Sequence, residues 1–255
     1  MQNSKSVIKS KMTKTAGSVV SFYNSVWNEW NDMIYHSPAP RIRRKKVLSW
    51  IKNLQINSLL DVGCGNGQFL RETSLAFPHI KMSGADISFA VIETNQKHIP
   101  HINFFNLDLI NENVPKKFDI VVSMEVIEHC DDYVVAVRKL SEMAGKYLLL
   151  TVPCGPIFKI DKTVGHNRHF RNLEITRLLN SVGFKVMKSQ EWGFPFFNLY
   201  KYLINLFPGK LSEAFLTKKC YGLKEKLIAS IVYRSFNLCF PWWGYQLFVL
   251  AQRDK

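Results

Sequence analysis

An apolar run leads directly into a glycine-rich turn at residues 58–67, Ser-Leu-Leu-Asp-Val-Gly-Cys-Gly-Asn-Gly, and this stretch constrains the fold more than any other. Gly63, Gly65 and Gly67 alternate, and glycine lets a backbone adopt positive φ and approach a ligand closely. The residues from Gln68 onward predict a helix, whose first N–H groups and positive dipole end would face the same place. The sequence therefore predicts a strand, a nucleotide-cofactor loop and a helix in succession.

Two other nucleotide-binding loops must be weighed against this interpretation. The dinucleotide fingerprint Gly-x-Gly-x-x-Gly begins equally well at Gly63, but it places Gly or Ala where this chain has Gln68. A nucleotide-cofactor oxidoreductase of similar topology therefore stays a rival that Gln68 opposes. A phosphate-binding P-loop is excluded, because no Lys-Ser/Thr pair follows the glycines.

The same decapeptide resembles the first motif of the class I S-adenosylmethionine-dependent methyltransferases, in which an acid-x-Gly-x-Gly-x-Gly loop follows the first strand. The resemblance implies that the cofactor S-adenosylmethionine lies over this loop, with its amino-acid moiety near the glycines. It identifies five loop residues as expected cofactor contacts: Asp61, Gly63, Cys64, Gly65 and Gly67.

Two further acids follow predicted strands. Residues 80–86 predict a second strand that ends in Asp86, about 20 residues beyond the glycines, where nucleotide-binding α/β units place an acid on the ribose hydroxyls. An ionised carboxylate can accept hydrogen bonds from both hydroxyls. A third run over residues 102–107 precedes Asp108, which matches the family's acid near the adenine amine. We include the following residues, Ile87 and Leu109, in the expected cofactor site.

The β-branched run from Phe118 to Met124 predicts a buried central strand, and Glu125-Val-Ile-Glu128-His129 follows it. This segment resembles the fourth motif of small-molecule methyltransferases, especially those similar to the ubiquinone O-methyltransferases. Open α/β sheets bind ligands beyond the carboxyl ends of their strands. We therefore expect Met124 to contact the cofactor and the ionisable side chains of Glu125, Glu128 and His129 to flank its methyl group. Glu125, Glu128 and His129 lack the spacing of a recognised metal motif, and the sequence predicts no metal.

A second group of candidate catalytic residues lies in the segment Gly165-His166-Asn167-Arg168-His169-Phe170. It resembles a subset of bacterial class I enzymes associated with cell-surface sugars or other hydroxylated small molecules. Histidine titrates near neutral pH, so His129, His166 and His169 are candidates for the general base that takes a proton from an acceptor hydroxyl. Glu125 is a candidate to orient the base. The alternative is a basic loop without a catalytic role.

The predicted fold is an α/β, Rossmann-like seven-stranded sheet of order 3-2-1-4-5-7-6, with strand 7 antiparallel and helices on both faces. Residues 1–56 are expected to form an N-terminal helical cap and residues 57–255 the methyltransferase domain. A helical insertion over residues 195–242 separates strands 6 and 7 and is expected to act as a lid.

Within the cap, Trp27 and Trp30 have helical spacing, and residues 41–54 predict a second helix with one basic face. In methyltransferases of this class such a segment usually covers the cofactor. Tyr35 and Arg44 are therefore candidates to reach the site, and plain packing or a solvated basic face is the alternative that we favour for each residue alone.

The net charge of +14 has three candidate meanings, which are nucleic acid, a membrane surface and an acidic small substrate. Nucleic acid is disfavoured, because no Asp/Asn/Ser-Pro-Pro-Tyr/Phe segment follows the fourth strand and no RNA-binding module is appended. The insertion is aromatic and basic, with seven basic and two acidic residues between Lys201 and Arg234. A substrate lid and an amphipathic helix on an anionic membrane both fit that composition.

The five cysteines form no Cys-x-x-Cys pair, and the lysine-rich stretch from Met1 to Ser21 has no apolar core typical of a secretory signal. We therefore expect a cytoplasmic protein, or one held peripherally on the inner face of the membrane. The oligomeric state stays open.

The predicted function is methyl transfer from S-adenosylmethionine to an oxygen of a small molecule, a sugar or another hydroxylated metabolite. A quinone-precursor or lipid-linked O-methyltransferase at the membrane surface is the first alternative. A nucleic-acid methyltransferase and a catalytically silent cofactor-binding module are the others.

Overall fold

The structure is a computed structural model that describes residues 31–206 and 220–254. Seven strands form one sheet of order β3-β2-β1-β4-β5-β7-β6. Strands β1 to β5 pair in parallel, and β7 runs antiparallel to both β5 and β6. The predicted fold and strand order are confirmed. The strands are β1 Ser58–Val62, β2 Lys81–Asp86, β3 Asn103–Asn106, β4 Phe118–Met124, β5 Ala144–Pro153, β6 Phe184–Trp192 and β7 Gln246–Arg253.

Helices connect most of these strands and cover the sheet. They are α1 Asn31–His36, α2 Pro38–Ile51, α3 Gln68–Ala76, α4 Phe89–His98, α5 Tyr133–Met143, α6 Lys159–Thr163, α7 Asn172–Ser181, α8 Phe196–Leu206 and α9 Leu223–Phe236, and one 3₁₀ turn spans Ile127–His129. Helix α2 begins at Pro38, three residues before the predicted helix start at Arg41. Proline is tolerated in the first turn of a helix, because the N–H group that it lacks would have no partner there.

Alternate residues of the central strands face two separate apolar clusters, one on each side of the sheet. Leu60 and Val121 belong to the cluster that contains residues of α5 and α7. Their neighbours Leu59 and Ile120 belong to the other, with residues of α2 and α3. Because side chains alternate along a strand, burial on both faces produces the continuous apolar runs seen in the sequence.

Helices α8 and α9 lie between β6 and β7, where the insertion is predicted. The division at residues 56 and 57, and the limits of the insertion at 195 and 242, stay predictions. Trp27, Trp30 and part of the connection between α8 and α9 lie outside the described residues.

Strand β7 begins at Gln246, and Gly244 lies two residues before it. Gly244 lies against the end of β6: a Cβ atom there would be 2.0 Å from the carbonyl carbon of Trp192 and 2.1 Å from the nitrogen of Gly193. The backbone can pass this closely only without a side chain.

We expect Gly244→Ala to lower the free energy of unfolding by about 3 kcal/mol or more, because backbone atoms cannot move aside without opening the β6–β7 pairing. Urea unfolding at constant m-value measures the change.

Gly183→Ala is the matched control. Gly183 has φ of 78°, but no neighbouring atom lies within 4 Å of a Cβ placed there. Conformational strain alone should lower the free energy of unfolding of Gly183→Ala by about 1–2 kcal/mol. Equal losses in the two variants would contradict the steric explanation for Gly244.

Candidate active site

The carboxyl ends of β1 and β4 bring the glycine loop and the segment Met124–His129 to one cavity of about 330 Å³. Residues of helices α2, α6 and α8 also line it. The predicted residues that line the cavity are Asp61, Gly63, Cys64, Met124, Glu125, His129 and His166. Arg44 also lines it, whereas the side chain of Tyr35 is exposed to solvent.

The glycine loop has the conformation that its sequence predicts, with φ of 78°, 50° and 72° at Gly63, Gly65 and Gly67. A Cβ atom on Gly63 would lie 2.2 Å from Cγ2 of Val126, so the loop approaches the β4 segment as closely as glycine allows. The N–H groups of Gly63 and Cys64 donate to the carbonyl oxygen of Ala85, at 2.8 and 3.0 Å. These bonds fix the loop to the end of β2.

Asp86, the last residue of β2, binds the same loop through its carboxylate. Its Oδ2 accepts a hydrogen bond from the N–H of Gly65 at 2.9 Å, and its Oδ1 accepts one from the N–H of Ser88 at 3.0 Å. Burial raises the pKa of Asp86, and hydrogen bonds from the backbone of Ser88, Gly65 and Ile87 oppose that shift. Asp86 does not line the cavity within the described residues. A carboxylate has about four acceptor sites, so a ribose hydroxyl could still bond beside the backbone donors.

The remaining predicted cofactor residues lie along the ends of β2 and β3, beside the cavity rather than in its wall. Ile87 follows β2 and is partly exposed. Asp108 follows β3 and accepts hydrogen bonds from Ile110 N and Asn111 Nδ2, at 3.1 and 2.8 Å. Leu109 is buried in the core. In the sheet order these positions extend outward from the glycine loop, as an elongated ligand would require.

Asp61 is a buried acid of the cavity wall. Its side chain is 1% exposed, and its Oδ1 has no hydrogen-bond partner among the described residues. Burial, with a smaller contribution from Asp86, raises the pKa of Asp61 to about 8. A cationic group in the cavity would compensate this carboxylate. Cys64, its neighbour in the wall, is inert because burial raises the pKa of the thiol.

Glu125 is held rigidly at the end of β4. Its φ of 57° is positive, which is uncommon for a residue other than glycine. Its Oε1 accepts hydrogen bonds from Thr151 Oγ1 at 3.0 Å and from Gln246 Nε2 at 2.8 Å. Its Oε2 forms an ion pair with Arg43 Nη2 at 3.1 Å. Residues from β5, β7 and α2 therefore fix one carboxylate at the predicted position.

Glu128 was expected beside the methyl group, but it is fully buried next to Glu125 and does not line the cavity. Neither of its oxygens has a hydrogen-bond partner among the described residues. Burial and the charge of Glu125 raise the pKa of Glu128 well above its ordinary value. A proton on Glu128, or a cation beside it, would compensate the buried carboxylate.

The site also brings together residue types that ligate metals. One ligand atom from each of Glu128, His129 and His166 lies within 4.8 Å of the others, and Asp161, His166 and His169 form a second such set. In the second set Lys201 Nζ already lies 3.0 Å from Asp161 Oδ1. Carboxylate and imidazole ligands suit zinc and similar ions, so the absence of a metal stays a prediction.

Hydrogen bonds assign the protons of the three histidines. Nδ1 of His129 lies 3.2 Å from the carbonyl oxygen of Gly165, to which it can only donate, so Nε2 is the basic nitrogen of the neutral ring. Nδ1 of His169 likewise donates to the carbonyl oxygen of Gly155 at 3.2 Å. His169 Nε2 then accepts from His166 Nδ1, 3.3 Å away.

These environments separate the candidate bases. Burial, together with the neighbouring His129 and Lys201, lowers the pKa of His166 to about 2, which makes it too weak a base to serve near neutral pH. His169 does not line the cavity. His129 lines it and stands edge-on to His166, with 4.9 Å between ring centroids. The geometry favours His129.

Several cavity residues were not predicted from the sequence. Arg43 comes from α2, Tyr200 and Lys201 from α8, and Gln246 from β7. None belongs to a motif. The basic composition of the insertion was the only sequence signal that pointed toward Lys201.

Comparison with known proteins places the chain in a family. A family described as "Methyltransferase domain" matches residues 39–189, more than half of the chain. The malonyl-[acyl-carrier protein] O-methyltransferase 1 of Ilyobacter polytropus is 26% identical over 147 residues, which are 52% of this chain and 55% of that protein. The trans-aconitate 2-methyltransferase of Klebsiella pneumoniae is 26% identical over 107 residues, 41% of this chain and 42% of that protein. The chain therefore spans about half the length of these relatives.

Solved structures agree on the fold. Magnesium protoporphyrin IX methyltransferase from Synechocystis, solved with bound S-adenosylhomocysteine, superposes with a TM-score of 0.62 at 15% identity. The match covers 92% of this chain and 98% of that chain.

Asp61 generates a prediction about stability and pH. Because its folded-state pKa lies above the unfolded value, its contribution to stability is complete below about pH 4 and is lost as the pH rises toward 8. Asp61→Asn removes the titration. The free energy of unfolding of the variant, relative to the native chain, should rise by about 1.4 kcal/mol per pH unit between about pH 5 and 8. Urea unfolding at four pH values measures it.

Asp119→Asn is the control, because hydrogen bonds and Lys146 lower the pKa of Asp119. That substitution should leave the pH dependence of the free energy of unfolding between pH 5 and 8 unchanged. If the free energy of unfolding changes with pH equally in Asp61→Asn and in the native chain, Asp61 is already ionised at pH 5.

Proposed function

The chain belongs to the methyltransferase domain family, and we propose that it transfers a methyl group from S-adenosylmethionine to an oxygen of a small hydroxylated molecule, such as a sugar. One observation carries the proposal. The glycine loop, with its buried Asp61, and the Glu125–His129 segment share one cavity. The glycine loop with Asp61 fits a cationic amino-acid ligand, and the Glu125–His129 segment offers a base. The family match also removes the oxidoreductase that Gln68 already opposed.

The residues present fit S-adenosylmethionine. Oδ1 of Asp61, which has no hydrogen-bond partner among the described residues, suits the ammonium group of the methionine moiety, and Gly63 lines the same cavity. Asp86 and Ile87 would hold the ribose, and Asp108 and Leu109 the adenine. When bound, the cofactor supplies an electrophilic methyl group on a sulfonium.

The chain's own contribution is to position the acceptor, exclude water and take a proton. Alignment of the reacting groups in the cavity accounts for much of the rate enhancement expected of such an enzyme. His129 would accept the hydroxyl proton at Nε2, while Gly165 holds Nδ1. Glu125 is already paired with Arg43, so its role would be to position that end of the cavity rather than to take the proton.

A second candidate function is the same methyl transfer to a different acceptor, a quinone precursor or a lipid-linked molecule at a membrane surface. The supporting observation is helix α8, which lines the cavity with Phe197 and Ile204 and exposes Leu199 and Leu203 on its other side. Such a helix could stand between the cavity and an apolar phase.

We expect Asp86→Ala to weaken S-adenosylmethionine binding by about 1.5–3 kcal/mol, the range for hydrogen bonds to a charged group. Isothermal titration calorimetry measures the affinity directly, without an acceptor.

Asn95→Ala separates loss of a ligand contact from loss of loop support. Asn95 Nδ2 donates to the Gly65 carbonyl oxygen at 2.7 Å, so it supports the same loop, but it lies within α4 rather than at the carboxyl end of a strand. We expect a smaller loss of affinity in Asn95→Ala than in Asp86→Ala. Equal losses would assign Asp86 to loop support alone.

We expect His129→Ala to lower the methyl-transfer rate by about 100-fold or more, with nearly unchanged cofactor affinity, as for a lost general base. The native rate should also fall in acid, because a protonated imidazole cannot accept the hydroxyl proton. Mass spectrometry would detect transfer from isotopically labelled S-adenosylmethionine to small-molecule extracts of a strain that lacks the gene.

Three controls test the assignment. His166→Ala and His169→Ala should lose less rate than His129→Ala, and a full-rate His129→Ala enzyme would move the base to the Gly165–Phe170 loop. A native rate that vanishes with a chelator and returns with Mg²⁺ or Zn²⁺ would make His129 a metal ligand instead of a base. Tight cofactor binding without transfer to any extract would favour a silent binding module.

A further inference from the structure

Helix α9 carries an unusual row of side chains on its outer surface. Leu223, Leu227 and Ile231 are spaced four residues apart, and Leu238 continues the row beyond the helix end. Residues with this spacing lie on one side of a helix. Leu227 is 63% exposed and Ile231 58%. We refer to these four side chains as the apolar stripe.

The inner side of α9 is already packed, so the apolar stripe is not a core face turned outward by a rotation of the helix. Ala229 and Phe236 are buried. Phe236 meets Phe197 and Tyr200 of α8, with ring centroids 5.5 and 5.4 Å apart. The helix therefore has apolar residues on both sides, and only one side has a partner among the described residues.

An aromatic cluster lies just beyond the C-terminal end of α9. Phe240 and Trp242 stack with 5.3 Å between their centroids, and Phe194 contacts both Phe240 and Trp243. Trp242 is 71% exposed. Single exposed apolar residues are common on soluble domains, but a stripe that continues into an aromatic cluster marks an interaction surface.

Basic residues accompany this surface. Lys224, Lys226 and Arg234 of α9 are exposed, against the single acid Glu225 of that helix. The chain as a whole has a net charge of +14. The surface therefore combines apolar side chains that can leave water with cations that prefer an anionic neighbour.

We propose that the apolar stripe and the aromatic cluster form a docking surface for an anionic membrane. Basic amphipathic helices lie in the plane of such membranes, with the apolar side among the acyl chains and the cations at the headgroups. Tryptophan is enriched at the same depth. A second copy of this chain would bring two strongly basic surfaces together, and nucleic acid would leave the apolar stripe unused.

The length of α9 decides how it would meet the membrane. The helix has 14 residues, whereas a span needs about 20. Among the described residues, no helix is long and apolar enough to cross a bilayer. Helix α9 would therefore lie on the surface.

Vesicle sedimentation tests the proposal on the full chain. Phosphatidylcholine vesicles with and without phosphatidylglycerol distinguish an anionic surface from a neutral one. We expect the native chain to bind the anionic vesicles at least about tenfold more strongly than the neutral vesicles, and less strongly as salt screens the charges.

Leu227→Gln/Ile231→Gln should lower binding to the anionic vesicles by about tenfold or more. Leu75→Gln/Leu173→Gln is the matched control, because these two residues are also exposed aliphatics but lie on α3 and α7. The control should bind like the native chain. Circular dichroism and thermal unfolding show that both double variants are folded, and neither readout depends on methyl transfer.

Three results would overturn the proposal. The first is a native chain that does not bind anionic vesicles, and the second is a control variant that loses as much binding as Leu227→Gln/Ile231→Gln. The third is light scattering that shows a native oligomer, separated into monomers by Leu227→Gln/Ile231→Gln, with no vesicle binding. That last result would assign the apolar stripe to contact between copies of the chain.

Discussion

The buried carboxylate of Asp86 ties the glycine loop to the sheet, and the geometry of the cavity depends on that connection. One oxygen accepts from Gly65 in the loop and the other from Ser88, the cap residue of α4. Charge-assisted bonds to backbone N–H groups are strong, and here they are shielded from water. With the loop held in this way, Gly63 meets the β4 segment and Asp61 reaches the cavity wall.

The acids of the site fall into two classes. Glu125 and Asp161 are neutralised by cations of other elements, Arg43 and Lys201. Asp61 and Glu128 are buried, have oxygens without a hydrogen-bond partner in the described part of the chain, and have raised pKa values. Removing a carboxylate from water is costly unless charge or hydrogen bonds compensate it. The unpaired acids therefore mark the places where a proton or a positive ligand group would stabilise the site.

The two helices between β6 and β7 contribute to two different surfaces. Phe197, Tyr200, Lys201 and Ile204 of α8 form part of the cavity wall. Helix α9 packs on α8 and turns its own apolar stripe outward. A lid over the cavity and a membrane-facing surface are therefore compatible in this chain, because different sides of two adjacent helices carry them.

The sequence by itself determined the strands, the glycine loop and the acids at the strand ends, because alternating burial and positive φ leave local patterns. The order of the strands followed from the resemblance of those motifs to a known family. Only the tertiary structure decided which residues complete the site. Arg43 reaches Glu125 from α2, and Gln246 reaches it from β7, 121 positions away. Packing brings such residues together without any repeat or spacing in the chain. The pKa values of Asp61 and His166 likewise depend on burial, which only the assembled fold creates.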